Sequence, residues 1–100
     1  MDVLSIHVCQ RKLRNPGQLR GMVEAIASGD YLPPIMIACD EDGSLSLDDG
    51  HHRLAAFWLA GFCELRRQDY LLLPKDRYRP RFGSVQDLLS RCDRIAGNGH

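Results

Sequence analysis

A chain of 100 residues has room for one hydrophobic core and not for two. Its 44% hydrophobic and 26% charged content belongs to a globular domain rather than a disordered or fibrous chain, and no apolar run approaches the ~20 residues a membrane-spanning helix needs. Lys and Arg number 13 against 13 Asp and Glu, which excludes the overall positive field of a protein that coats nucleic acid.

The balance conceals a division. Met1 to Gly50 carries eight acids and four Lys/Arg, and the remainder carries five acids and nine Lys/Arg, so a local basic patch stays open to the second half. The N-terminus lacks the basic, apolar and small-residue succession of a signal peptide, which makes the cytoplasm the expected compartment. Cys9, Cys39, Cys63 and Cys92 stand far apart with no C-x-x-C spacing, and reduced, mostly buried thiols are expected.

Leu4 to Cys9 alternates apolar and polar residues and predicts a first strand, with Leu4, Ile6 and Val8 on one face and His7 on the other. After a basic connector, Asn15-Pro16-Gly17-Gln18 predicts a helix start: an N-cap side chain, proline at the first helical position and glutamine at the capping-box position. Leu19, Met22, Val23 and Ile26 supply one apolar face of a helix over 16–28, and Gly29 can end it in the left-handed conformation. Pro33-Pro34 holds the next segment extended. Ile35 to Cys39 and Ser44 to Leu47 then form a hairpin around Asp40-Glu41-Asp42-Gly43. The three acids of that tip could hold a metal, although solvated loop charges are the commoner meaning of such a cluster.

Leu47 to Gly61 organises the chain: a strand end, two carboxylates, a glycine, three basic or protonatable side chains, and an apolar helix over 51–60 closed by Gly61. Leu54, Ala55, Phe57, Trp58, Leu59 and Phe62 make that helix apolar on nearly all sides, so a central, covered position is expected. Glu64 to Leu73 reads as extended, ended by Pro74. In the segment that follows, Lys75, Arg77, Arg79 and Arg81 alternate with Tyr78, Pro80 and Phe82. It suits contact with phosphates or an acidic protein face, and equally a solvated loop. Ser84 to Asp87 is a capping pattern for a helix over 85–96 carrying Val85, Leu88, Leu89, Cys92 and Ile95. The expected fold is α+β: one small domain over residues 1–100, a mixed sheet with helices at about 16–28, 51–60 and 85–96.

The first N–H groups of a helix have no partner inside it, and its dipole favours anions there. Gly50 permits close backbone approach, the amides of His51, His52 and Arg53 can face an anion, and Arg53 can grip it bidentately. His52 can act as a general acid or base, with Asp49 as the second catalytic candidate. Asp48 and Asp49 could hold a Mg²⁺ shared with phosphate oxygens. The same residues admit a purely structural use: Asp49 as N-cap or ion-pair partner of Arg53, and both histidines facing solvent.

Pro33-Pro34-Ile35-Met36-Ile37, the hairpin and Asp49-Gly50-His51-His52-Arg53-Leu54-Ala55-Ala56 together resemble the signature of the ParB/sulfiredoxin-like superfamily, over roughly Leu19 to Leu65. The resemblance implies that superfamily's fold and a phosphate-binding role for Gly50 and Arg53, with a nucleotide tri- or diphosphate and Mg²⁺ as the implied cofactors. The box of partition proteins resembles Gly-Glu-Arg-Arg, and this chain has His51 and His52 in place of the glutamate and first arginine. It also shows no second, Asn-Arg-containing phosphate motif after Leu65, so CTP-driven clamping is not expected. The reactive cysteine of sulfiredoxins would stand at His51, so sulfinic-acid repair is not expected either. Nuclease-like and serine-kinase relatives have boxes closer to Asp49 to Arg53, and Glu24 and Glu64 are the remaining carboxylate candidates for such chemistry.

Three readings follow. The first is a nucleotide- or phosphate-binding domain, with phosphotransfer or nuclease chemistry left open. The second is a protein-interaction module without catalysis, of the kind a phage or plasmid could encode to bind a host protein, its opposed halves providing electrostatic complementarity. The third is a DNA-binding module using Lys75, Arg77, Tyr78, Arg79 and Arg81.

Overall fold

A computed structural model describes residues 1–30, 32–74 and 80–91. Four strands, β1 (Ile6–His7), β2 (Ile35–Cys39), β3 (Leu45–Asp49) and β4 (Tyr70–Pro74), form one mixed sheet in the order β1-β3-β2-β4. β2 and β3 are the antiparallel hairpin, while β1 runs parallel to β3 and β4 parallel to β2. Three α-helices accompany the sheet: α1 (Leu19–Ala27), α2 (His51–Leu59) and α3 (Val85–Ser90). The α+β single-domain architecture expected from the sequence is the observed one, and α2 lies between α1 and α3 while also touching β2. Among the described residues no helix is long and apolar enough to cross a membrane.

The core joins Ile35 and Ile37 of β2, Leu47 of β3, Ile6 and Val8 beside β1, Leu19 of α1, Leu54, Ala55 and Ala56 of α2, and Val85 and Leu88 of α3. The two-residue periodicity of β2 explains its contribution: Ile35 and Ile37 share the face that the helices cover. The hairpin turn closes through Asp40, whose N–H donates to the Ser44 carbonyl at 2.9 Å and whose carbonyl accepts from the Gly43 N–H at 3.0 Å. The register shifts between Met36 and Ile37, which pair with Asp49 and Leu47, so Asp48 is the extra residue of a bulge just before the α2 turn.

Several local expectations change. The first strand is only two residues long, because Val3–Ser5 is a 3-10 turn capped by the Asp2 carboxylate, which accepts from the Leu4 N–H at 3.0 Å. Leu4 therefore leaves the apolar face and is 41% exposed, while Ile6 and Val8 are fully buried. The Val3 N–H donates to the Cys63 carbonyl at 2.9 Å and the Leu65 N–H to the Met1 carbonyl at 2.7 Å, so the N-terminus is tied to the segment after α2 instead of extending β1. Asn15 does not cap with its side chain and Gln18 completes no capping box; the chain makes a 3-10 turn over Pro16–Gln18 before α1 begins. α1 closes as expected, with Gly29 at φ +79°.

α2 is central but not covered all round: Trp58 is half-buried, and Leu59 and Phe62 are exposed. The extended run predicted from Glu64 is interrupted by a 3-10 turn over Arg67–Asp69, where the buried Asp69 carboxylate accepts from the Arg66 backbone N–H at 2.8 Å and grips its guanidinium at two distances of 3.1 Å. Cys39 and Cys63 are exposed and Cys9 is half-buried, so the expectation of mostly buried thiols fails. Cys39 is the last residue of the inner strand β2, beside the hairpin turn, and Cys63 lies in the turn after α2. α3 ends at Ser90 with Arg91 as its C-cap, short of the helix expected over 85–96, and Cys92 lies outside the described residues.

Candidate functional site

Gly50 is the N-cap of α2 at φ +105°, in the left-handed region that favours glycine, and no side chain caps this helix. A Cβ here would lie 2.7 Å from Ile35 Cγ2, 3.0 Å from Ile35 Cβ and 3.2 Å from Arg53 Nη2. Both facts demand glycine, one through the torsion and one through space. The expectation that Asp49 could be the N-cap is not met. Its carboxylate is turned to Arg53 Nη2 at 3.3 Å, with the Arg53 side chain 18% exposed and that of Asp49 67% exposed.

Each of the next three side chains is engaged. His51 is buried, and its Nε2 accepts the Cys9 backbone N–H at 3.0 Å. Burial first, then the neighbouring His52, push its pKa from 6.5 down to about 4, with Asp49 opposing and Arg14 adding to the fall. The neutral imidazole is therefore a fixed acceptor that ties the end of the first strand segment to the start of α2. Half-buried His52 repeats the arrangement one residue later, its Nε2 accepting the Asn15 N–H at 3.1 Å. Arg53 Nη1 donates to the Pro33 carbonyl at 3.1 Å and the Pro34 carbonyl at 3.3 Å. Those carbonyls belong to a segment outside helix and sheet and need a donor from elsewhere.

The arrangement concentrates donors at one turn. Arg53 is folded back so that its guanidinium lies beside Gly50 within one turn of the first amides of α2, whose N–H groups have no intrahelical acceptor. A phosphate or carboxylate suits this chemistry, and the 3.3 Å carboxylate of Asp49 is an internal anion on the same guanidinium. The catalytic candidates are both occupied in this conformation: His52 by Asn15 and Asp49 by Arg53. Half-buried Asp48 lies next to Asp49, on the bulge. Among the described residues no group of three or more His, Cys, Asp or Glu side chains is placed to hold a metal ion. A Mg²⁺ at Asp48 or Asp49 would draw its remaining ligands from phosphate and water, as hard cations on nucleotides commonly do.

The basic segment lies apart. Lys75, Arg77, Tyr78 and Arg79 fall outside the described residues. Arg81 reaches the tip of the β2–β3 hairpin, at the opposite end from Gly50, where Nη2 donates to Ser44 Oγ at 2.6 Å and to Asp40 Oδ2 at 3.4 Å. Asp40 is thus part of a clasp, and Asp42 ties down the same turn by accepting from the Ser44 N–H at 2.9 Å. Arg11 stands 5.5 Å from the centre of the Phe82 ring, so this aromatic at the end of the basic segment is engaged within the fold. Of the other carboxylate candidates, Glu64 meets the N-terminal ammonium at 3.3 Å and Glu24 is exposed on α1.

The partners of the turn escaped sequence reasoning. Cys9, Asn15, Pro33 and Pro34 contribute backbone atoms, which carry no residue signature. Compared with known proteins, the chain matches no protein-family model, no curated protein and no solved structure.

Proposed function

We propose that this chain is a nucleotide- or phosphate-binding domain, of the ParB/sulfiredoxin-like kind that its sequence resembles, with the anion seated at the start of α2. The observation that carries the reading is the uncapped helix start: Gly50 at φ +105° with no capping side chain, and the Arg53 guanidinium folded beside it. An external anion would accept from the amides of His51, His52 and Arg53 and displace Asp49 from the exposed face of Arg53, an ion pair worth little in water. The Pro33 and Pro34 carbonyls hold the guanidinium in place beforehand, so little ordering is left for the ligand to impose. Gly50, the three amides and Arg53 form the seat, with Asp48 and Asp49 beside it for a nucleotide-bound Mg²⁺. Binding needs no proton transfer by His52, whose Nε2 already serves Asn15.

The test is thermal unfolding of wild type and Arg53→Ala with ATP, ADP, CTP and GTP, each with and without Mg²⁺, every shift measured against the same protein without ligand. A nucleotide at about 100 times its dissociation constant stabilises the fold by about 2.7 kcal/mol, a rise of about ten degrees or more for a domain of this size. The rise is expected in wild type and absent in Arg53→Ala. No rise with any nucleotide, or an equal rise in both proteins, refutes the seat.

A further inference from the structure

We infer that the arch of residues 9–15, continued by Arg20, is a surface for the phosphate backbone of duplex DNA. The inference is independent of the anion seat. All four Lys/Arg of residues 1–50, namely Arg11, Lys12, Arg14 and Arg20, fall within ten positions, and no acid occurs from Val3 to Val23. The even charge of the whole chain hides this cluster.

The fold sets the cluster in a rigid frame. Both ends of the arch are pinned to consecutive residues of α2: the Cys9 N–H donates to His51 Nε2 at 3.0 Å and the Asn15 N–H to His52 Nε2 at 3.1 Å. Between them Leu13 is buried in the core, and Arg91 Nε donates to the Arg11 carbonyl at 2.7 Å. With Leu13 turned inward, Lys12 and Arg14 on either side of it are exposed, as are Arg11 and Arg20. A frame held at both ends and in the middle leaves little ordering for a partner to impose.

The cations are free, and most of the nearby acids are not. Among the described residues no acid pairs with Lys12, Arg14 or Arg20, and Arg11 stands over the Phe82 ring at 5.5 Å with its charge uncompensated. Asp49 pairs with Arg53, Asp87 accepts from the Ser84 N–H, and Asp48 is engaged as well. Exposed Glu24, four residues beyond Arg20 on α1, offsets one of the four cations. Residues 75–79 add three Lys/Arg and one Asp, and residues 92–100 one Arg and one Asp, so the rest of the sequence does not reverse the sign.

The chemistry of the surface selects the partner. A protein face needs an apolar anchor near its centre, and none of the exposed large apolar side chains belongs to residues 9–20. A basic segment lying on a membrane also sinks apolar side chains into it, and Leu13 is committed to the core. Single strands are held by stacking on aromatic rings. Residues 9–20 contain no aromatic, and Phe82 is half-buried under Arg11. Duplex DNA keeps its bases stacked inside and its phosphates outside, and asks for cations alone.

The probe is a short labelled DNA duplex titrated with the whole chain by fluorescence anisotropy at about 50 to 200 mM salt. Four phosphate contacts give log affinity a slope of about −3.6 against log salt, a fall of about a hundredfold over that range. Two duplexes of unrelated sequence should bind alike. Lys12→Gln, Arg14→Gln and Arg20→Gln each reduce the slope by about one, and the triple variant loses at least tenfold in affinity at the lowest salt. The substituted side chains are exposed and unpaired, and circular dichroism checks that the variants fold. Arg67→Gln is the control: it removes the same charge just before β4, at the opposite edge of the sheet from β1, and should leave binding unchanged. Absence of saturable duplex binding at the lowest salt and millimolar protein overturns the inference. So does binding that the triple variant retains, or that Arg67→Gln weakens as much as Arg14→Gln. Tighter binding of a single strand of the same length, or binding of phosphatidylcholine–phosphatidylserine vesicles without binding of the duplex, overturns it by giving the arch to another polyanion.

Discussion

Replacing Gly50 by alanine tests the architecture of the α2 start. At φ +105° an alanine is strained, at a cost of about 1–3 kcal/mol. Its Cβ would also sit 2.7 Å from Ile35 Cγ2. Ile35 is fully buried in an inner strand, and its β-branched side chain has few alternative rotamers, so it cannot swing aside. Overpacking of this kind adds about 1–3 kcal/mol. The combined cost of about 2–6 kcal/mol is a large part of the 5–15 kcal/mol typical of a whole domain, and it corresponds to a fall in Tm of about ten degrees or more. Gly29→Ala is the matched control: φ is +79°, yet nothing lies within 4 Å of the added Cβ, so strain acts alone. Urea unfolding of both variants separates the two contributions. The reasoning is refuted if Gly50→Ala costs no more than Gly29→Ala.

The remaining predictions concern charge. His51 titrates at 6.5 when unfolded and at about 4 when folded, so the unfolded chain binds the extra proton. Its contribution is complete above about pH 6.5 and is lost as the pH falls to about 4, a change of about 3 kcal/mol. Urea midpoints of wild type and His51→Gln across that window should differ in slope, and equal slopes would show that the imidazole does not stay neutral in the fold. Asp49→Asn removes the internal anion on Arg53 and should tighten Mg²⁺-free binding of inorganic phosphate or nucleotide several-fold by calorimetry; weaker binding would mean that Asp49 holds the ligand instead of competing with it. Asp87→Ala removes the carboxylate that accepts from the Ser84 N–H at 2.8 Å at the start of α3, which should lower stability by about 1 kcal/mol in chemical denaturation.

What the sequence determined by itself lies within a few residues of its cause. Gly29 and Gly61 ended helices because glycine alone enters φ > 0 without strain, and their φ values are +79° and +95°. Ser84 and Asp87 started α3, the apolar spacing from Leu19 to Ile26 set α1, and the two-residue alternation with Gly43 made the hairpin. Tertiary structure decided everything whose partner is distant. That His51 and His52 hold the backbone of Cys9 and Asn15, that Arg53 serves Pro33 and Pro34, and that Arg81 clasps the hairpin tip depend on segments some 20 to 40 residues apart meeting in space. The same holds for Leu4, expelled from the core when Asp2 and the Cys63 carbonyl turned the N-terminus, and for Leu71 and Leu72, which are exposed because β4 took the outer place in the sheet. Propensity and capping act through local torsions and hydrogen bonds, so residue order encodes them directly. Strand order and side-chain partnership arise from packing the whole core, and no short stretch of sequence contains them.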